Sequence, residues 1–312
     1  MASAVSANPV IFMGRKIVAS TEVTFPFRQI EGRSIVQNIA RLVDGKVALL
    51  LGSTPFHPVD QHWPDQPADR GEIQVDGFAK PLVVDSCQIF AVHKETQEVK
   101  GAEKISRAEK NSWWSVVAHV VDPQTEDFEG LIGKEATAKV DLYYRQQLSL
   151  QHSASHLAAF ALNLSTRHLW SKEAPKKDSL GSPNLDNLAI EDASTILPDS
   201  NEDRYRFGKS IRKNGLQVDL LFEQLPTIQA SVNALLSQWI ATKTRVDMSA
   251  DGPTIDSRRA WRCELPAGSA EIPCGGTHVT NLGAFGRIEY ELMDATQGAE
   301  KRLVAVLRAY PA

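Results

Sequence analysis

The sequence predicts an α+β protein in two parts. Three observations predict it. The first half is a series of short apolar runs separated by Gly, Pro and Asp, a long helical pattern begins abruptly at Arg145, and strand-like runs return after it around a second helix. The length of 312 residues suits about two domains. It also allows a core that needs no disulfide or metal as a staple.

The elements follow in order. Lys46 to Leu51 is apolar and ends at Gly52, and Glu72 to Val75, Leu82 to Val84 and Cys87 to Val92 are similar short runs. Trp113 to Val121 is longer, and Lys134 to Asp141 alternates, with Ala136, Ala138 and Val140 on one side. Short strands with turn signals between them predict a sandwich or a barrel. The stretch from Thr54 to Gly71 contains Pro55, Pro58, Pro64 and Pro67. Proline fixes φ and donates no hydrogen bond, so this is a long loop, either functional or a solvated connector.

In the second half, Leu148, Leu150, His152, His156, Leu157, Ala159, Phe160 and Leu164 recur at helical spacing, with no Gly or Pro among them. They predict a helix of about five turns. The polar stretch from Ser171 to Asn201, with Pro175, Gly181, Pro183 and Pro198, reads as an insertion or a mobile excursion. Strands are expected at Arg204 to Ile211 and Leu216 to Phe222. A helix follows at Ile228 to Ile240, with Pro226 near its first turn, where proline is tolerated. Further strands are expected at Thr244 to Met248, Arg258 to Leu265, Gly286 to Met293 and Arg302 to Tyr310. This half is α+β, with helices packed on a mainly antiparallel sheet. The predicted domains are 1–144 and 145–312, with the insertion near 171–201.

Composition narrows the function. The net charge is −4, which argues against a protein held on nucleic acid by bulk positive charge. A nucleic-acid contact would need a local basic patch. Cys87, Cys263 and Cys274 are odd in number and form no C-x-x-C pair, which argues against a secreted disulfide framework. Val10 to Met13 is too short for a secretory core, and its basic residues follow rather than precede it. No apolar run approaches the roughly 18 residues of a membrane span. The reading is a soluble, cytoplasmic chain.

Two motifs carry chemistry. In Gln151-His152-Ser153-Ala154-Ser155-His156-Leu157 two histidines stand four apart, on one face of the predicted helix. Two imidazoles so placed can grip one metal ion, or they can be plain surface histidines. In Pro273-Cys274-Gly275-Gly276-Thr277-His278 a cysteine and a histidine flank a double glycine, whose backbone can take up φ > 0 and approach a ligand closely. A cysteine alone would more often be a small buried hydrophobe. Together His152, His156, Cys274 and His278 make a His₃Cys set suited to tetrahedral zinc.

Other zinc motifs do not fit. A zincin requires H-E-x-x-H, and Ser153, Ala154 and Ser155 supply no glutamate. A zinc deaminase requires P-C-x-x-C, and the second cysteine is missing. A zinc finger requires two more ligands in its own short unit.

HSASH followed by Leu157, and CGGTH followed by Val279 more than a hundred residues later, resemble the editing domain of alanyl-tRNA synthetases and its free-standing relatives, the AlaX proteins. The second additional domain of threonyl-tRNA synthetases is similar. Asn281 to Ile288 resembles the family's turn and strand after CGGTH, and Thr296 to Arg302 its closing segment. Upstream, Thr54-Pro-Phe-His-Pro58 with Gln66-Pro-Ala-Asp-Arg-Gly71 resembles the AlaX barrel-domain signature. The usual glycine run there is replaced by the bulkier Val59 to Asp65, and Ser171 to Asn201 is longer than the family norm. No ATP-binding aminoacylation core is recognisable, so the resemblance is to the free-standing form.

The resemblance implies a small translation-protein-like β-barrel ahead of an α+β editing domain. It implies a trans-editing hydrolase that removes serine or glycine wrongly loaded on tRNA for alanine, with no need of ATP. Zinc suits that reaction as a Lewis acid, or by lowering the pKa of a bound water to ~7. Four protein ligands close a tetrahedron, which is the structural pattern. A catalytic role requires a weak ligand, a fifth position, or a metal that mainly orients the substrate amine. Cys274 is the ligand most open to exchange. Thr277 and the amides of Gly275 and Gly276 are candidates to contact the amino acid or hold an oxyanion, or they simply shape the turn. For tRNA contact the candidates are Arg15 with Lys16, Lys172 with Lys176 and Lys177, and Arg204 to Lys213, with Trp63, Trp113 and Trp114 as stacking surfaces. Two alternatives stay open: an RNA-binding protein with purely structural zinc, and a zinc hydrolase of another small ester or amide.

Overall fold

A computed structural model of the chain describes residues 9–42, 44–60, 64–106, 108–122 and 128–312. The fold is α+β, with mainly antiparallel sheets. The chain divides into two compact units. One takes the described residues up to Arg145 together with Ala250–Arg258, and the other takes Gln146–Ser249 and Arg259–Ala312.

The first unit is built on β1 (Glu31–Leu42), β2 (Val47–Leu51), β3 (Gly71–Val75), β4 (Leu82–His93), β5 (Trp113–Val121) and β6 (Glu135–Val140). Every pairing among them is antiparallel. β1 pairs with β6, β6 with β3, β3 with β4, β4 with β5, β5 with β2, and β2 returns to β1. Ala136, Ala138 and Val140 are buried, as their alternation requires, with Val36, Leu49, Ile73, Val84 and Val117. The opposite face of the same strands buries Ala40, Leu50, Phe90, Val116 and Ala118.

Two details differ from the sequence reading. The runs 82–84 and 87–92 are one strand, because the register shifts between Val84 and Ser86 and carries the polar pair Asp85-Ser86 through as a bulge. The 12-residue strand β1 was not expected, since its exposed positions carry Glu31, Arg33 and Arg41 and disguise its apolar face.

Helix α1 (Leu142–Thr166) starts at Leu142 rather than Arg145, and from Gln146 onward it belongs to the second unit. Asp141 sets that start: its Oδ1 accepts the N–H of Tyr144 at 3.1 Å, an N-cap contact. The stretch 171–201, expected to be an insertion or a mobile excursion, is tied down by side-chain hydrogen bonds. Asp178 Oδ1 accepts the N–H groups of Leu180 and Ser182 at 3.0 and 2.9 Å, and Asn163 donates to its other oxygen. The short helix α2 (Leu185–Ala189), capped by Asn184, buries Leu185 and Ala189. Its Asp186 accepts a 2.7 Å bond from Tyr205. Local side-chain bonds of this kind are invisible to apolar periodicity.

After β7 (Asn201–Phe207) come α3 (Lys209–Lys213), α4 (Val218–Glu223) and α5 (Leu225–Ala241). The expected strand at Leu216 to Phe222 is therefore wrong, and that at Arg204 to Ile211 is misplaced. Short apolar runs fit either period, and packing of Ile211, Val218 and Leu221 into the core decides for helix here. β7 begins earlier than expected because its inward residues Asn201 and Asp203 are polar.

Two sheets complete the unit. β8 (Val246–Ala250), β9 (Arg259–Leu265) and β10 (Gly268–Pro273) form one. β11 (Phe285–Asp294) and β12 (Lys301–Pro311) join β7 in the other, with β11 at its edge. That edge is not left open. Asn233 of α5 donates to the Tyr290 carbonyl at 2.7 Å and accepts its N–H at 2.9 Å, as a neighbouring strand would. Among the described residues no helix is long and apolar enough to cross a membrane.

Candidate metal centre

Helix α1 supplies the first two side chains of the site. His152 and His156 are one turn apart, and their ring centroids lie 4.8 Å from each other. The turn after β10 supplies the other two. β9 holds its start, because the N–H of Cys274 donates to the Arg259 carbonyl at 3.1 Å. Cys274 Sγ then lies 3.4 Å from Nε2 of His152 and 3.2 Å from Nε2 of His278. One ligand atom from each of the four residues falls within 4.8 Å of the others, so the cluster can hold a metal ion.

The donor set fits zinc. With Zn–N of about 2.0–2.1 Å and Zn–S of about 2.3 Å, tetrahedral N and S donors stand about 3.6 Å apart. The two separations from Cys274 Sγ, 3.4 and 3.2 Å, are close to that. Nε2 of His156 is buried with no hydrogen-bond partner, which is costly unless a ligand satisfies it. Burial lowers the pKa of His152 to about 3 and pushes that of His156 well below the usual imidazole range. Both rings are therefore neutral at pH 7, the form that ligates. Cys274 is the only partly exposed member of the motif pair Cys274 and His278, the latter being buried. Trp261 of β9 walls the site, with its ring centroid 5.4 Å from that of His156 and Phe160 stacked behind it.

Hydroxyls and amides lock the turn onto the helix. Ser149 donates to Thr277 Oγ1 at 2.8 Å, and Ser153 Oγ accepts the N–H of Val279 at 3.0 Å. The N–H of Gly276 donates to Cys274 Sγ at 3.4 Å. Of the three residues expected to meet substrate, Thr277 is thus already bonded to Ser149 of α1 and Gly276 to Cys274 in the turn. Gly275 is exposed, and a side chain added there would meet nothing within 4 Å. Gly275 does not use the positive φ that glycine tolerates. Ser149, Ser153 and Trp261 were not singled out in the sequence. The i, i+4 spacing of Ser149 and Ser153 alongside the histidines was the available signal.

Some of the basic groups proposed for nucleic acid are already in ion pairs. Lys177 pairs with Glu173, Arg204 with Glu202, Arg206 with Glu300 and Arg212 with Asp219. Lys94 Nζ sits 4.1 Å over the Trp114 ring and Lys100 Nζ 5.0 Å over Trp113, so each indole already carries a cation. Trp63 lies outside the described residues.

In the first unit, Asp69 from the proline-rich loop forms a buried bidentate pair with Arg145, with one of its bonds at 2.7 Å. Arg145 also donates to the Pro55 carbonyl at 2.7 Å. The two signature segments of the loop are thereby tied to one guanidinium.

No protein-family model matches the chain. It is 25% identical over 264 residues to an alanine–tRNA ligase of Methanobrevibacter smithii, covering 83% of this chain and 24% of the ligase. It is 25% identical over 299 residues to the chloroplastic/mitochondrial alanine–tRNA ligase of Arabidopsis thaliana, covering 85% and 24%. With the alanine–tRNA ligase of Chlorobaculum tepidum it shares 23% identity over 274 residues, covering 86% and 26%. Over most of its length the chain is thus similar to alanyl-tRNA synthetases while spanning about a quarter of theirs, a pattern consistent with an editing-domain-like protein.

Proposed function

We propose that this chain is a zinc-dependent aminoacyl-tRNA deacylase, acting in trans in the cytoplasm on tRNA for alanine that carries serine or glycine. The observation that carries the reading is the convergence of four donor residues from two motifs, one of which, His156, has its Nε2 buried and unpartnered. The similarity to alanine–tRNA ligases supplies the substrate class.

The reaction adds water across the ester between the amino acid and the tRNA 3′ end, releasing both. Zinc, favoured by a mixed thiolate–imidazole set, would be held by His152, His156, Cys274 and His278 and supplies Lewis acidity when bound. The chain's own residues set the conditions. Buried neutral imidazoles keep the donors available. Trp261 and Phe160 form the apolar wall that excludes water and strengthens every electrostatic contact. Gly275 leaves room for an aminoacyl group beside Cys274, and Thr277 presents a hydroxyl in the same turn. Arg15, Lys16, Lys172, Lys209 and Lys213 remain as candidates for phosphate contact. The ring of antiparallel pairings in the first unit supports reading it as the small β-barrel.

The test is deacylation of seryl-tRNA and glycyl-tRNA for alanine by the intact protein and by His156→Ala. Release of serine by the intact protein, lost in the variant, is expected. A folded, zinc-loaded protein that releases neither amino acid overturns the assignment. A second reading, structural zinc in an RNA-binding protein, is favoured by the completeness of the four-donor set. It requires tRNA binding without hydrolysis.

A further inference from the structure

The hydroxyl of Ser153 stands between the two motifs. Ser153 is fully buried on α1, one residue after His152. Its Oγ lies 3.1 Å from Nδ1 of His278 and accepts the N–H of Val279 at 3.0 Å. The other ring nitrogen of His278, Nε2, faces Cys274 Sγ at 3.2 Å, on the donor side of the cluster.

A neutral imidazole has one N–H and one lone pair. If Nε2 is the ligating atom, its lone pair points into the cluster and the proton resides on Nδ1. That N–H then donates to Ser153 Oγ. A ligating histidine is commonly oriented by such a bond, which also raises its basicity. Helix α1 would then do more than supply two ligands. It would orient a third, from a turn 125 residues later in the chain.

We propose that Ser153 is a positioning residue that holds His278 in the Nδ1–H tautomer, with Nε2 aimed at the metal, an inference that rests on the metal-centre reading. Because Ser153 also holds the Val279 amide, the second half of the C-x-x-x-H turn is fixed at two adjacent points by one oxygen. Serine suits this place. An alanine would remove both bonds, and a glutamate, as in the zincin motif, would bring a charge where a neutral acceptor is used.

The test compares the intact protein with Ser153→Ala, Ser153→Cys and Ser155→Ala, the last being a partly exposed position on the same turn. Zinc affinity is read by chelator competition, ligand geometry by the cobalt absorption spectrum, and the His278 tautomer by the imidazole N–H signal in NMR. Ser153→Ala should lose about 10–100-fold in zinc affinity. The cobalt bands should shift and the protected Nδ1–H signal of His278 should disappear, while Ser155→Ala matches the intact protein. Ser153→Cys keeps the size but weakens the acceptor, so it should show the same direction of change if the alanine variant does not fold. Intact-like affinity together with an unchanged Nδ1–H signal in a folded Ser153 variant overturns the positioning role and leaves the metal centre standing. An intact protein that binds neither zinc nor cobalt overturns the metal centre and this inference with it.

Discussion

Cys274 Sγ lies 3.4 Å from Nε2 of His152, although 122 residues separate them in the chain. Such closeness between a thiol and a buried imidazole points to a shared ligand. Zinc should therefore stabilise the protein by mass action, by about 2.7 kcal/mol at a hundredfold excess over its Kd. Thermal unfolding with and without a chelator measures this. His152→Ala should abolish the zinc-dependent part, and a zinc-induced rise in Tm that survives that substitution would refute the site.

Ser149 and Thr277 share a 2.8 Å bond in a place where each is nearly inaccessible to water. Thr277→Val leaves the Ser149 hydroxyl buried without its acceptor, at a cost of about 1–3 kcal/mol. The double variant with Ser149→Ala should cost less than the two single costs summed. Denaturant unfolding of the four proteins gives the coupling, and strict additivity would show that the bond contributes nothing.

His119 predicts a pH dependence in the first unit. Its Nδ1 donates to the Leu49 carbonyl at 2.9 Å, so Nε2 accepts from Thr54 across 2.7 Å and the ring is neutral. Burial lowers its pKa from 6.5 to about 4. The unfolded chain binds a proton near pH 6.5 that the fold refuses until about pH 4. The contribution is fully present above pH 6.5, falls as the pH drops to about 4, and is flat below. The loss is of the order of 3 kcal/mol. His119→Gln should be less stable than the intact protein near pH 7, and the difference should shrink on acidification. A difference constant from pH 7 to 4 would contradict the assignment.

Asp69 and Arg145 are both buried, and their pair also engages the Pro55 carbonyl and the N–H of His57. Removing one partner strands a charge. Asp69→Ala and Arg145→Met should each cost about 3–5 kcal/mol. The double variant should recover part of that loss, which urea unfolding will show. No recovery would mean that the bonds to the loop backbone, rather than the charge pair, carry the stabilisation.

The division between sequence and structure is clear in particular residues. Spacing by itself determined that His152 and His156 share one face of α1, because i and i+4 on a helix coincide whatever surrounds it. It also determined the inward set Ala136, Ala138 and Val140, because a strand alternates. Both follow from local periodicity. Tertiary structure decided the rest. It made helices of 209–213 and 218–223, where a short apolar run fits two periods and core packing chooses. It tied down residues 171–201 through Asp178, Asn163 and Tyr205, whose side-chain bonds leave no trace in apolar periodicity. It turned Ser153 toward His278 and left Nε2 of His156 without a partner. A sequence displays which side chains can ligate. Only the folded chain brings lone pairs together and withdraws them from water, because that depends on contacts between residues more than a hundred positions apart.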